Sequence, residues 1–226
     1  MPTQSVLPAA RPAPARPRPP ATLVLATLDE DDLRDDATYK ALGFYDLALA
    51  GRTVKGAEFV QCRFNRADLT GTALAGSILT DCLIEGTSLA EVRADQSVMH
   101  RVTVRESRLS GLHWLDGTLH DVTVRDCRAE RSVFRGAHLH GVVFTGTDLT
   151  CADFTGADLS GAAFVDCDLS GARFDFATAA GARLEGCALD GIGGAAGLGG
   201  ATIATGDPVG LSRVLAAALD ITLEGA

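Results

Sequence analysis

Four aspartates in the C-terminal half of the chain recur at multiples of five residues: Asp148, Asp153, Asp158 and Asp168. Carboxylates at fixed intervals can act as an acid/base pair in an enzyme, or as a row of negative charges that faces a basic partner. An acid/base pair needs an enclosed cleft, whereas a regular repeat places such side chains on a convex surface. The spacing therefore argues against a catalytic pair and predicts that these four carboxylates point outward from the repeat.

Three histidines are spaced by twenty residues, at His100, His120 and His140, and His138 stands beside the last of them. Imidazole is a common metal ligand, so zinc binding is the alternative to a solvated row of histidines. If residues twenty apart stack vertically, the rings form a ladder with steps of about 5 Å, and ligands in a straight line do not converge on one tetrahedral ion. We therefore predict no metal site.

The sequence also gives no sign of an enzyme or of a cofactor. No Ser-His-Asp or Cys-His arrangement stands out from the repeat background, and no phosphate-binding loop precedes a helix. We predict no catalytic residue and no cofactor-binding residue.

All but one of the six cysteines stand two positions before the central residue of a five-residue unit, where a small apolar group is expected. No pair of cysteines has the spacing of a zinc finger. We expect reduced thiols in a cytoplasmic protein. The cysteines are Cys62, Cys82, Cys127, Cys151, Cys167 and Cys187.

A period of five residues must position these side chains. Between residues 137 and 176 a Leu or Phe recurs at every fifth position, with a small or compact residue two positions before it. The register starts at Val54 and ends at Leu189, which gives 28 consecutive units without an insertion. Neither a helix nor an alternating strand repeats every five residues, and a persistent short period is typical of a solenoid.

The repeat resembles that of the pentapeptide-repeat family, whose unit is A-(D/N)-L-x-x, over about two-thirds of the chain. The resemblance implies an all-β fold, a right-handed quadrilateral parallel β-helix with four units in each turn, so that 28 units make about seven coils. The copies nearest to the family unit are Ala67-Asp68-Leu69, Thr147-Asp148-Leu149, Ala152-Asp153-Phe154, Ala157-Asp158-Leu159 and Cys167-Asp168-Leu169.

Four units per turn would place residues twenty apart above one another, and the sequence agrees with such columns. Phe134, Phe154 and Phe174 fall in one column. Like residues on like residues are expected where each column fills one corner of a narrow core.

We divide the chain into four segments. Residues 1–21 hold seven of the eight prolines and are predicted to form a disordered Pro/Arg-rich tail. Residues 22–43 are the predicted N-terminal cap, with a short strand at 22–28 and a short helix that begins in the acidic stretch 29–36 and runs towards Tyr39. Residues 44–205 form the predicted β-helix, and in its last coil Leu198 and Ile203 continue the five-residue step one position early.

Residues 206–226 are predicted to form a C-terminal α-helix, with Asp207 as its N-cap and Pro208 in its first turn. Two roles are open for its apolar face. The helix can cap its own solenoid, or it can form a homodimer contact, as in the mycobacterial relatives that pair through their C-terminal ends. The face consists of Leu211, Val214, Leu215, Ala218 and Leu219.

The net charge of −9 argues against direct binding to nucleic acid, which requires clustered Lys and Arg. No apolar run approaches the roughly 18–20 residues of a membrane span, so no membrane contact is predicted. The charge is uneven along the chain. Residues 51–135 carry 12 Lys and Arg against 11 Asp and Glu, whereas residues 136–190 carry 2 Arg against 8 Asp and Glu.

The resemblance implies two alternative functions for a non-enzymatic protein. Gyrase-binding members of the family, such as the mycobacterial fluoroquinolone-resistance protein and the Qnr proteins, are narrow acidic DNA mimics that inhibit DNA gyrase, a topoisomerase, or protect it from antibiotic poisons. The acidic C-terminal half and its four aspartates would do the same here. The alternative is a protein–protein interaction scaffold whose partner is unrelated to gyrase.

Overall fold

The five-residue period folds into a parallel β-solenoid of about nine turns in the computed structural model, which describes residues 13–222. Each turn consumes twenty residues, because Phe44 pairs with Phe64 and Phe64 with Ile84 in parallel register. The predicted parallel β-helix with four units per turn is therefore confirmed.

The sides of the coils are short strands, most of them three residues long. Two longer strands, β10 and β11, run around a corner and pair with each other over both sides. The strands are Val24–Leu25 (β1), Thr38–Lys40 (β2), Leu42–Tyr45 (β3), Thr53–Lys55 (β4), Glu58–Val60 (β5), Arg63–Asn65 (β6), Ala73–Ala75 (β7), Ile78–Thr80 (β8), Leu83–Glu85 (β9), Val98–Arg105 (β10), Thr118–Arg125 (β11), His138–His140 (β12), Val143–Thr145 (β13), Ala163–Val165 (β14), Arg183–Glu185 (β15) and Thr202–Ala204 (β16). The helices are Leu28–Asp31 (α1) and Pro208–Ala218 (α2), with a 3₁₀ turn at Ala195–Leu198.

The core is built from the two inward positions of each unit. The rings of Phe134, Phe154 and Phe174 stack almost in parallel, with centroids 5.3 and 5.4 Å apart. The small residues two positions earlier, such as Ala152 and Ala172, are fully buried as well. Columns of like residues therefore fill the narrow interior, as the sequence predicts, and each buried Phe or Leu contributes roughly 1.5–3 kcal/mol before the cost of chain entropy.

The corners of the coils depend on a left-handed backbone conformation. Every residue with a number ending in 1 or 6, from position 36 to position 191, has a positive φ. Many of these residues are Gly, Asp or another polar type, which is typical of such positions. Phe176 is a bulky apolar residue at such a position, with φ 57° and a side chain that is 90% exposed.

The predicted number of about seven coils is too low because coils also form outside the uninterrupted register. At the N-terminal end Tyr39 pairs with Phe59 in the same twenty-residue step. At the other end Ile203 pairs with Leu184, a step of nineteen, which matches the early position seen in the sequence.

The N-terminal cap is smaller than predicted. Strand β1 pairs with β3 and covers the first coil, as expected. Helix α1 begins after Thr27, whose hydroxyl accepts a hydrogen bond from the Glu30 N–H, and it ends at Asp31. It does not reach Tyr39, which lies in strand β2 of the first coil, because the Tyr39 side chain is buried against the ring of Phe59.

The predicted tail lies partly outside the described residues, which begin at position 13. From there to Pro20 the chain has no helix or strand and lies against the solenoid. The Arg18 N–H donates to Oδ1 of Asp81 at 3.2 Å, and the Arg18 carbonyl accepts from Gln61 at 3.0 Å. No helix within residues 13–222 has the length and hydrophobicity needed to cross a bilayer.

We expect replacement of a stacked phenylalanine to weaken the whole rod. Phe154→Ala leaves a cavity in a column where the ring is fully buried, and such changes cost about 3–5 kcal/mol. Urea unfolding followed by circular dichroism measures the loss. The matched control is Phe176→Ala, where the exposed ring predicts a change within about 0.5 kcal/mol. Equal losses in the two variants would contradict the stacked core.

Candidate partner-binding surface

The outward side chains form columns on four faces of the solenoid, each with a step of twenty residues. Two of these columns carry the predicted functional residues. We call the first the aspartate face, because it holds three aspartates, and its column includes Asp68, Ser88, Arg108, Arg128, Asp148, Asp168 and Ala188. We call the second, on the opposite side, the histidine face, and its column includes Ile78, Val98, Thr118, His138, Asp158 and Thr178.

Asp148 and Asp168 are brought together on the aspartate face, where they are paired neighbours in successive coils. In each of them Oδ1 accepts a hydrogen bond from a backbone N–H two residues later, at 3.0 Å from Thr150 and 2.9 Å from Ser170. Within residues 13–222 neither carboxylate has a Lys, Arg or His nitrogen within 4.0 Å. The second oxygen of each is therefore available to a partner.

Asp153 lies on the next face and does not share this arrangement. Its side chain is buried, and its Oδ2 accepts a hydrogen bond of 2.6 Å from Nε of Arg135. Burial alone would raise the pKa of Asp153, but the hydrogen bonds from Arg135 and Thr155 outweigh it and lower the pKa below its ordinary value. Its charge is already neutralised, so Asp153 is poorly placed to meet a partner.

The cation that pairs with Asp153 is not the arginine of its own column. Arg173 stands one coil above Asp153, as the twenty-residue column requires. Its guanidinium nevertheless binds Asp175 in its own coil at 3.0 Å. Position in a column thus fixes which backbones are neighbours, while the reach of a long side chain decides which charges pair.

Asp158 lies on the histidine face, opposite to Asp148 and Asp168. Its Oδ1 accepts from the Ser160 N–H at 2.9 Å and from the Thr178 hydroxyl at 3.1 Å. The hydrogen bonding at Ser160 is the largest cause that lowers the pKa of Asp158. The four predicted aspartates therefore occupy three faces, and only two of them form a common surface.

Several arginines of residues 51–135 form ion pairs in a pattern that the sequence analysis missed. Arg66 binds Asp46 at 2.7 Å and Arg101 binds Asp81 at 2.7 Å, each pair being twenty residues apart. Arg105 binds Glu85 at 2.6 Å with the same separation. A search for opposite charges at this step would have revealed these ladders of ion pairs.

Two arginines of the aspartate face stay outside these ladders. Arg108 and Arg128 are paired neighbours below Asp148, and no carboxylate oxygen within the described residues lies within 4.0 Å of either guanidinium. The aspartate face thus changes from positive to negative along the rod.

The histidines form the predicted ladder, since His100 pairs with His120 and His120 with His140 in successive coils. The ring centroids of His100 and His120 lie 5.2 Å apart, and the two ring planes are at 72° to each other. The prediction of no metal site considered only this straight line. In the structure, carboxylates and His138 stand beside the ladder and give two groups of three potential ligands: His100, His120 and Asp121, and His138, His140 and Asp158.

The predicted apolar face of the C-terminal helix is divided between two environments. Leu211 packs against the core, and Val214 is half-buried. Leu215, Ala218 and Leu219 are exposed. The helix starts as predicted, because Oδ1 of Asp207 accepts a hydrogen bond of 2.8 Å from the N–H of residue 210.

The cysteines behave as small core residues where the repeat predicts it. Cys62, Cys82, Cys127 and Cys167 are buried, whereas Cys187 is half-buried and Cys151 is exposed at a corner. The thiols of Cys62 and Cys82 lie close to the carbonyl oxygens of Tyr39 and Phe59, at 3.2 and 3.3 Å. Burial raises the pKa of the Cys127 thiol to about 11, which keeps it protonated.

Comparison with protein families identifies the same five-residue repeat that the register indicates. Residues 97–174 match the family model described as a pentapeptide repeat region, and residues 45–81 match the model of pentapeptide repeats in eight copies. The two matches together cover half of the sequence. The chain belongs to the pentapeptide-repeat family. Members of this family are generally structural or interaction proteins.

Several solved pentapeptide-repeat proteins are similar to this one at low identity. HetL, involved in heterocyst differentiation regulation in the cyanobacterium Nostoc sp. strain PCC 7120, is 18% identical over 77% of this chain and 90% of its own, with a TM-score of 0.31. QnrB1, a plasmid-mediated fluoroquinolone resistance protein, is 20% identical over 82% of this chain and 100% of its own, with a TM-score of 0.28. A protein of the Arabidopsis thaliana thylakoid lumen is 18% identical over 54% of this chain and 66% of its own, with a TM-score of 0.25. No curated protein sequence matches this chain significantly.

We expect the Arg135–Asp153 pair to give this pentapeptide-repeat protein part of its pH dependence. The pKa of Asp153 is lowered in the folded chain, so its stabilisation is complete above the ordinary value of 3.8 and is lost as the pH falls through the folded-state value. Arg135→Gln removes the main attraction and leaves the burial, which should cost about 1 kcal/mol at pH 7 and much less at pH 2.

Urea unfolding at pH 7, 4 and 2 measures this difference. The control is Arg125→Gln, whose partner Asp126 and whose own side chain are both more than half exposed. We expect almost no change in stability there at any pH. A loss in Arg135→Gln that is independent of pH would show that the arginine acts through packing and not through its charge.

Proposed function

We propose that this pentapeptide-repeat protein is a non-enzymatic interaction rod whose aspartate face binds a basic protein surface, and that the partner is the DNA-binding surface of DNA gyrase. The observation that carries the proposal is the pair Asp148 and Asp168, which stand in adjacent coils without a cation within reach in the described part of the chain. Unpaired carboxylates at a fixed spacing offer charge complementarity to a row of Lys and Arg.

The spacing and the charge favour a partner that normally holds DNA. Adjacent coils lie about 4.8 Å apart, and a DNA strand carries one phosphate for roughly every 3.4 Å along the duplex axis, so both present charges in closely spaced steps. The excess of acids over bases in residues 136–190 adds a negative field around the two aspartates. The resemblance of the repeat to gyrase-binding members of the family makes gyrase the partner to test, and we propose a cytoplasmic location on the same ground.

A scaffold for an unrelated protein is the second candidate. It is favoured by the mixed aspartate face, because Arg108 and Arg128 continue the column of Asp148 and Asp168 with the opposite charge. A uniform imitation of a phosphate backbone has no cations, whereas a surface with two signs suits a partner with the complementary pattern.

A gyrase supercoiling assay with matched variants separates the two candidates. In Asp148→Asn/Asp168→Asn the amide oxygen can still accept the backbone hydrogen bond, so the corner persists while two charges are lost. We expect the full chain to inhibit supercoiling, or to protect gyrase from a fluoroquinolone, at micromolar concentration, and the effect to weaken with added salt. The double variant should be at least about tenfold weaker.

The control for this assay is Glu58→Gln/Asp158→Asn, which also loses two carboxylates. Both residues stand on the histidine face, opposite to Asp148 and Asp168, so this variant should act like the unchanged chain. No effect of the full chain on gyrase would eliminate gyrase as the partner and leave the scaffold. Equal weakening in both double variants would eliminate the aspartate face as the contact.

We further propose that the exposed part of helix α2 forms a homodimer contact. Leu215 and Leu219 are 43% and 67% exposed and stand one helical turn apart, so they offer a small apolar patch at the end of the rod. Light scattering should give twice the mass of one chain for the full protein. It should give a single-chain mass for Leu215→Glu/Leu219→Glu and for a chain that ends at residue 206.

Ala217→Glu is the matched control for the dimer contact, because Ala217 is exposed on the side of the same helix that lies roughly opposite to Leu215 and Leu219. This variant should keep the doubled mass. A full-length chain that is already monomeric at high concentration would remove the dimer from the proposal and leave helix α2 as a cap alone.

A further inference from the structure

Strand β12 presents two imidazoles on the same side of the chain. His138 and His140 flank Leu139, whose side chain is fully buried in the core. Because side chains alternate along a strand, both histidines point outward and are exposed. Their rings are nearly parallel, with centroids 6.2 Å apart. Two imidazoles at this spacing provide two nitrogen ligands from one short rigid element.

The next coil supplies a carboxylate to the same place. Asp158 is the paired neighbour of His138, and the Asp158 N–H donates to the carbonyl oxygen of residue 137 at 2.9 Å. One ligand atom from each of His138, His140 and Asp158 lies within 4.8 Å of the other two. Zinc bonds of about 2.0–2.2 Å in a tetrahedral site require ligands roughly 3.3 Å apart. Exposed rings can close this gap by side-chain rotation.

Asp158 is held in the orientation that a metal ligand needs. The Ser160 N–H and the Thr178 hydroxyl both donate to Oδ1. Oδ2 accepts no hydrogen bond among the described residues, so it is the oxygen left for an ion. Outer partners that fix a ligating carboxylate are a regular feature of metal sites.

The other histidine group of the ladder is less suited to a cation. Nη1 of Arg101 lies 2.9 Å from Nε2 and 3.1 Å from Nδ1 of His100, so a permanent positive charge already occupies that place. Asp121 lies 3.3 Å from Nδ1 of His120. Around His138, His140 and Asp158, no arginine or lysine within residues 13–222 is hydrogen-bonded to any of the three.

We propose that His138, His140 and Asp158 form a surface binding site for one divalent transition-metal ion, with the chemistry of a zinc site. Two imidazoles and one carboxylate are ligands that Zn²⁺ accepts, and three protein ligands leave a coordination position for water or for a side chain of a bound protein. The site does not depend on the gyrase proposal, since it uses the opposite face of the rod.

Zn²⁺ titration of the full chain, followed by isothermal calorimetry, tests the site. We expect one ion per chain, and binding at least about tenfold weaker in His140→Asn and in Asp158→Asn. Both side chains lie at the surface, so the circular dichroism spectrum should not change. The imidazole resonances of His138 and His140 should shift when Zn²⁺ is added, while those of His113 should not.

Two controls remove the competing explanations. His113→Asn changes a histidine on another face and should leave the affinity unaltered. Cys151→Ser removes the exposed thiol and should also leave it unaltered. Zinc binding that survives His140→Asn, or that disappears with Cys151→Ser, would overturn the proposed site, as would a chain that binds no Zn²⁺ at all.

Discussion

The twenty-residue register between successive coils is the constraint on which every other feature depends. Backbone hydrogen bonds such as Leu149 N–H to the Asp168 carbonyl, at 2.8 Å, hold each coil on the next. A single inserted residue within a coil would move inward side chains to the surface, because the two sets alternate along the backbone. The 28 uninterrupted units of the sequence are therefore a direct consequence of the hydrogen bonding.

The same register gives the surface its chemistry. Each outward side chain has the residue twenty positions later as its neighbour in the next coil. Charged and polar side chains therefore form columns, and no loop is needed to bring them together. Arg101 meets Asp81, and His138 meets Asp158, through one geometric rule. The rod thus builds sites across coils on flat faces, which suits contact with another macromolecule better than the enclosure of a small substrate.

The interior could be predicted from the sequence, and the surface only in part. Phe134, Phe154 and Phe174 reveal their stacking because an inward column tolerates few residue types, and the repeat makes that restriction visible. Surface pairing depends on side-chain reach, which a period does not encode: Arg173 binds Asp175 instead of the aspartate below it. The ends were also less predictable, because pairing of strands β2 and β16 continues where the strict repeat has stopped.

Membership of the family explains the inward residues and leaves the outward ones to be explained separately. In the aspartates at the turns, one carboxylate oxygen stabilises the fold and the other is left for contacts at the surface. In Asp148, Asp158 and Asp168 the oxygen Oδ1 stabilises the corner through a backbone N–H, which accounts for the aspartate in the repeat unit. The corner makes no use of the second oxygen, so its surroundings carry the information about partners. Beside Asp153 that oxygen meets an arginine, Asp158 stands close to two imidazoles, and Asp148 and Asp168 have no cation within 4.0 Å in the described part of the chain. One repeated residue thereby lies in three different environments, which its neighbours one coil away determine.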